Sequence, residues 1–150
     1  MSAGAYRIGQ VAERVGVTTR TIRYYEELGL VSPSGHSPGG ARRYSEEDVA
    51  GVLRIRELQD LMGFDLQTIR RIVLAERRLQ ELREQYRAGV DEARRQEILR
   101  EAISINDELR GEVRDKLERI QAFLDELNAK AARYRRFLRG AAPAAPTVRA

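Results

Sequence analysis

The sequence predicts a mainly α protein: an N-terminal winged helix-turn-helix domain followed by a long coiled-coil dimerisation helix. Three observations carry that expectation. Two short amphipathic patterns meet at a turn containing Gly16. A glycine- and proline-rich stretch after Leu30 closes on Arg42-Arg43-Tyr44. From about Leu74 to Leu138 the chain is an almost unbroken run of Leu, Glu, Arg, Gln and Ala without proline, which are helix-forming residues. Composition agrees. The 150 residues are 42% hydrophobic, enough for a modest core, but 33% charged and only 6% aromatic, which suits exposed helices.

The first helix is expected over about Gly9 to Val15, because Ile8, Val11, Ala12 and Val15 recur at three- and four-residue spacing. Gly16 ends it as a C-terminal glycine does. Val17 returns to the core, Thr18 caps a second helix over Thr19–Leu28, and Gly29 closes that one. Two short helices with a glycine between them outline a helix-turn-helix. Pro33, Gly35, Pro38, Gly39 and Gly40 then forbid helix and favour a hairpin or loop.

Ser45 caps a third helix, with Glu46, Glu47 and Asp48 placed to complement its dipole. Its apolar stripe is Val49, Val52, Leu53, Ile55 and Leu58. Met62-Gly63-Phe64 breaks it, and Asp65 caps a fourth helix carrying Leu66, Ile69, Ile72 and Val73. Gly89 interrupts the helical pattern, and Asp91 caps the final helix. The expected organisation is a winged helix-turn-helix domain over residues 6–75, a connecting helix and hinge over 76–90, a dimerisation helix over 91–138 and a disordered tail over 139–150.

The final helix carries a seam at alternating spacings of four and three. It runs through Leu99, Ile103, Val113, Leu117, Ile120, Leu124, Leu127, Ala131, Tyr134 and Leu138, with polar Asn106 and Arg110 in two slots. That is a coiled-coil pattern with a polar interruption able to set register. A helix from Asp91 to Leu138 is roughly 70 Å long at 1.5 Å per residue. It cannot bury such a stripe alone, so a second copy of the chain is the simplest partner.

The second helix carries the functional signal. Thr18, Ile22, Tyr25 and Leu28 share the expected core face. Arg20, Arg23, Tyr24 and Glu27 share the opposite face, with Thr19 at its edge. A helix-turn-helix lays its second helix in the major groove, where arginine reads guanine and polar side chains grip phosphate. The same residues could also make an ordinary solvated face of Arg–Glu pairs. Arg42, Arg43 and Tyr44 at the hairpin's return favour DNA, because a basic hairpin beside such a helix can hold flanking phosphates.

Taken in order, Ile8-Gly9-Gln10-Val11-Ala12, then Thr19 to Leu30 (TRTIRYYEELGL), then Arg42-Arg43-Tyr44, then Leu61-Met62-Gly63-Phe64 resemble the MerR family of bacterial regulators. The motifs cover about half of the chain, and the long helix agrees with them. The resemblance implies a homodimer on a pseudo-palindromic site, held by an antiparallel pair of long helices. The site lies in an over-long spacer between two promoter elements. The regulator bends and untwists that DNA so that RNA polymerase can engage both elements, a deformation costing a few kcal/mol. By this resemblance Arg20 and Arg23 meet the major groove or its backbone, Tyr24 anchors to phosphate, and Arg43 and Tyr44 belong to the wing's grip. Arg70 and Arg71 lie where the family's second wing begins.

Other classes fare less well. Net charge is +4, nearly all of it from arginine, which favours polyanionic partners but is also expected of a GC-rich genome. There is no cysteine, which excludes thiolate chemistry and sets the chain apart from metal- and redox-sensing members of the family. Large drug-sensing members of the family carry a separate C-terminal ligand domain, and the short Ala/Pro stretch after the long helix is not expected to form one. The signal is therefore open: a small organic molecule, another protein, or none. His36 is the sole histidine and reads as a solvated loop residue, and without a second histidine or a cysteine no nucleophile–base set can be built. No enzyme activity, cofactor or metal is expected. Neither a signal peptide nor a membrane span is apparent, so a cytoplasmic location is the default. The remaining alternatives are a coiled-coil scaffold that binds protein and a constitutive repressor or architectural DNA-binding factor.

Overall fold

The computed structural model describes residues 4–140. The elements among them are α1 (Ile8–Val15), α2 (Thr19–Glu27), β1 (Gly35–His36), β2 (Arg42–Arg43), α3 (Glu46–Asp60), α4 (Leu66–Ala88) and α5 (Glu92–Leu138). They form two units, one ending at Asn106 and one beginning at Asp107, and α5 supplies residues to both. Among the described residues no helix is long and apolar enough to cross a membrane. The expected tail falls almost wholly on residues 141–150, outside the described part.

Helix starts obey side-chain chemistry. The Thr18 hydroxyl oxygen accepts the Thr21 N–H at 3.1 Å. Ser45 and Asp48 cap reciprocally, at 3.1 Å to the Asp48 N–H and 2.7 Å from the Ser45 N–H. The carboxylates of Asp65 and Asp91 accept the Thr68 and Arg94 N–H groups at 2.9 and 2.8 Å. Each such cap contributes about 1 kcal/mol by satisfying an otherwise unpaired amide. The backbone bond from Thr68 also holds the Asp65 carboxyl below its ordinary range. At the other end of α1, Gly16 takes φ +74°, a left-handed value that favours glycine. Arg56 of α3 donates to the Val15 and Gly16 carbonyls at 3.1 and 2.8 Å, pinning the turn between α1 and α2.

The core of the first unit joins Val11, Ala12 and Val15 of α1, Ile22 and Tyr25 of α2, and Leu30 and Val31 after it. Val49, Val52, Ile55 and Leu58 of α3, Phe64, and Ile69, Ile72 and Val73 of α4 complete it. Leu53 departs from the expected stripe and is 49% exposed. The reason is geometric: the buried positions of α3 repeat every three residues, so the buried line drifts around the helix and leaves Leu53 behind. Helix α4 runs unbroken through position 75 to Ala88, with Gly89 in a left-handed φ of +88° at its C-cap.

Leu82 of α4 and Ile98 of α5 are both buried. Arg78 pairs with Glu101 at 2.5 Å and Arg94 donates to Gln85 at 2.9 Å, tying α4 to the start of α5. Ile98 is 2% exposed and its neighbour Leu99 47%. The seam expected from Leu99 onward is therefore one residue away from the position that packs within the unit. In the second unit Val113, Leu117, Ile120, Leu124, Leu127, Tyr134 and Leu138 are exposed, as are Phe123 and Phe137.

Candidate nucleic-acid interface

Helix α2 is divided lengthwise. Ile22 and Tyr25 are buried, and the Tyr25 hydroxyl donates to Gln59 Oε1 of α3 at 3.0 Å. Arg20, Arg23, Tyr24 and Glu27 are exposed, with Thr19 half-buried at their edge. Thr18, Arg20, Thr21, Arg23, Tyr24 and Glu27 line one shallow groove. Two details of the expected core face differ. Thr18 is exposed because its hydroxyl is spent on the cap, and Leu28 is half-buried at the helix end.

The state of the arginines separates this face from the paired arginines of α3. Both arginines of α3 are engaged, Arg54 with Glu76 at 2.6 Å and Glu57 at 2.7 Å and Arg56 with Asp60 at 2.5 Å, and on α4 Arg78 pairs with Glu101 and Glu81. Those carboxylates push the Arg54 and Arg78 pKa further up, Glu76 and Glu101 respectively being the main cause. Among the described residues Arg20 and Arg23 have no such ion pair, although exposed Glu27 lies on the same face.

The hairpin stands beside α2 in sequence and is short. Gly35 pairs with Arg43 and His36 with Arg42, antiparallel. Its tip closes through Ser37 N–H to Ala41 O at 2.7 Å and Gly40 N–H to Ser37 O at 2.8 Å. His36 is exposed in β1, as a solvated residue should be. Arg43 is half-buried and, among the described residues, lacks an ion pair. Arg42 does not: its Nε lies 3.2 Å from Glu26 Oε2.

Tyr44 requires a correction. It was expected in the wing's grip on DNA, yet its side chain is fully buried. Its backbone exchanges two hydrogen bonds with Tyr6, at 3.0 and 2.9 Å, and its hydroxyl donates to Glu26. Burial first, and the bond to Glu26 second, push its phenol well above the ordinary range. A ring so enclosed cannot reach a phosphate. The sequence did hold a signal for this, because an aromatic residue directly before a capping serine occupies the position that packs back onto the new helix. Glu26 was missed altogether. On the wheel of α2 it falls between the two faces, and only the folded hairpin supplies its partners.

The remaining candidates are on α4. Arg70 is exposed, and Arg71 donates to Thr68 Oγ1 at 3.0 Å. Among the described residues no cluster of three or more His, Cys, Asp or Glu could hold a metal ion.

A helix pair with one bare basic face, leading into a short basic hairpin, defines a winged helix-turn-helix of the kind found in transcription regulators. Residues 6–76 match the family described as MerR HTH family regulatory protein. The chain is 33% identical over 121 residues to the HTH-type transcriptional regulator YfmP of Bacillus subtilis (strain 168), spanning 81% of this chain and 86% of that one. It is 36% identical over 130 residues to the nodulation protein NolA of Bradyrhizobium sp. (strain NC92), covering 82% of this chain and 52% of that longer protein. In fold it resembles a crystal structure from Listeria monocytogenes assigned to the MerR family, with TM-score 0.60, 24% identity and 91% of each chain covered. It also resembles HiNmlR, a MerR family regulator lacking the sensor domain and solved bound to promoter DNA, with TM-score 0.51, 22% identity, and 87% and 90% of the two chains covered. The chain belongs to the MerR family of helix-turn-helix transcription regulators.

Proposed function

We propose that this regulator binds double-stranded promoter DNA as a homodimer, with α2 in the major groove and the hairpin on the flanking backbone. The observation that carries this reading is the contrast in arginine state. Arg20 and Arg23 share an exposed face without ion pairs among the described residues, while Arg54 and Arg56 of α3 and Arg78 of α4 are held by carboxylates. An arginine already paired must give up that partner to bind phosphate or guanine, whereas Arg20 and Arg23 need give up none. Thr19 and Tyr24 supply hydroxyls beside them, and Arg43 supplies a backbone contact from the hairpin. HiNmlR, of like fold, was solved on promoter DNA, which supports the same use of this surface.

Dimerisation rests on α5. An exposed line of large apolar side chains from Leu99 to Leu138 is unfavourable in water, and a second α5 is the partner that matches its spacing. Two wings fixed at one distance would then read two half-sites and could bend the spacer between them, changing how RNA polymerase meets the promoter. The test is footprinting on the DNA upstream of the protein's own gene. Protection of a pseudo-palindrome inside a long spacer supports activation by distortion. Protection overlapping a promoter of ordinary spacing supports repression, and absence of salt-sensitive protection overturns the reading.

A further inference from the structure

The half-buried carboxylate of Glu26 is used neither by the core nor by the exposed face of α2. Its side chain is 11% exposed. It receives the Tyr44 hydroxyl and lies 3.2 Å from Arg42 Nε, so both of its partners come from the return of the hairpin. The next residue, Glu27, is exposed on the outer face. One helix position thus sends a carboxylate toward the hairpin while the adjacent position faces solvent.

The chemistry has two consequences. A carboxylate largely withdrawn from water favours keeping its partners, because leaving a charge unpaired there is unfavourable. Glu26 therefore couples the position of β2 to the helix that would enter the groove. Further, Arg42 and Arg43 are neighbours in sequence but differ in state: Arg42 is half-exposed with its charge shared by Glu26, and Arg43 has no carboxylate partner among the described residues. A cation already neutralised in part gains less from a phosphate, and phosphate contacts are the part of binding that ignores sequence.

We propose that Glu26 is a positioning residue: it locks the hairpin to α2 through Tyr44 and Arg42, and by holding Arg42 it suppresses one sequence-independent phosphate contact. This rests on the DNA-binding reading for its second half only. Glu26 then raises discrimination without touching a base. Its removal should strengthen binding to the wrong DNA.

The test uses the full chain carrying Glu26→Gln, whose amide oxygen can still accept the Tyr44 hydroxyl but which holds no charge for Arg42. Two measurements are made. The first is hydrogen exchange without DNA, monitoring the amides of Ser37 and Tyr44, which are bonded to Ala41 and Tyr6. Faster exchange there, with α3 amides unchanged, supports the lock; unchanged hairpin exchange overturns it, whether or not the protein binds DNA. The second is anisotropy titration on a random-sequence duplex at several salt concentrations. E26Q should bind it several-fold more tightly, with the salt slope steeper by about one phosphate contact. The double variant E26Q/R42A should lose that gain. Equal weakening on every duplex would show that Glu26 only supports the fold, and would overturn the second half. A wild-type chain showing no salt-dependent binding would instead sink the DNA reading, leaving the exchange result to decide the lock.

Discussion

The two units treat the same kinds of residue in opposite ways. Before Asn106, most Val, Ile and Leu residues from α1 to α4 are gathered into a closed core, and Ile22, Val52, Ile55 and Ile69 have no exposed surface. After Asp107, Leu117 is 62% exposed, and Ile120, Leu124 and Tyr134 are exposed too. Hydrophobicity is similar; the difference lies in topology. Short helices joined by tight turns can fold back on one another and bury a face of each. A single continuous helix cannot fold back on itself, because its ends lie tens of ångströms apart. The first unit buries much of its apolar surface within itself, and among the described residues the second leaves its large apolar side chains exposed.

The largest expected effect tests that contrast directly. A chain ending before Asp107 should keep the fold of the first unit, as judged by the two-dimensional NMR dispersion of its amides, yet become monomeric. Linking two half-site readers is worth about 10²–10⁴ in affinity, so operator binding should weaken by that order. A truncated chain that still sediments as a dimer and binds normally would abolish the distinction between the units. Within the full chain, Leu117→Asp should dissociate the dimer in sedimentation, whereas Glu118→Ala should not. Equal effects would place the seam on another face.

Stability provides a finer test. Ile55→Ala in the closed core should cost about 2–5 kcal/mol in denaturant unfolding, by an amount independent of protein concentration. Leu124→Ala should also lower the unfolding midpoint, but the midpoint of both wild type and variant should rise with protein concentration, as linkage to association requires. A concentration-independent midpoint in the wild type would mean that the exposed seam is not buried by a second copy.

On DNA the effects are smaller and divide between helix and hairpin. Arg20→Ala should cost roughly 1–3 kcal/mol on the cognate site and relax discrimination against altered half-sites. Arg43→Ala should weaken cognate and scrambled duplexes alike and lower the salt slope by about one contact. A reversal, with sequence preference changed only by R43A, would move specificity from α2 to the hairpin. The smallest effect on DNA binding belongs to Tyr44→Phe. Losing a hydrogen bond to the half-buried Glu26 carboxylate should cost at most about 1.5–3 kcal/mol of stability, while the salt slope stays that of the wild type. A fall in the salt slope would contradict the burial of its ring.

Much of this was legible in the sequence because it depends on neighbours within a few residues. Caps at Thr18, Ser45, Asp65 and Asp91 and the turn at Gly16 arise from local hydrogen bonding and backbone freedom, so their positions emerge from residue type and spacing alone. The division of α2 into Ile22 and Tyr25 on one side and Arg20, Arg23 and Tyr24 on the other is set by helical periodicity. The features that the tertiary structure decided depend on residues far apart in the chain. Leu53 is exposed because α3 packs along a drifting line, and Ile98 rather than Leu99 is buried where α5 begins. Tyr44 is core rather than contact because Tyr6 borders it and Glu26 takes its hydroxyl. Arg42 and Arg43 are identical as residue types, and only the fold brings a carboxylate of α2 within 3.2 Å of one of them. Periodicity can assign a residue to a face, but which partner waits on that face, and so which of two neighbouring arginines is paired, depends on long-range packing.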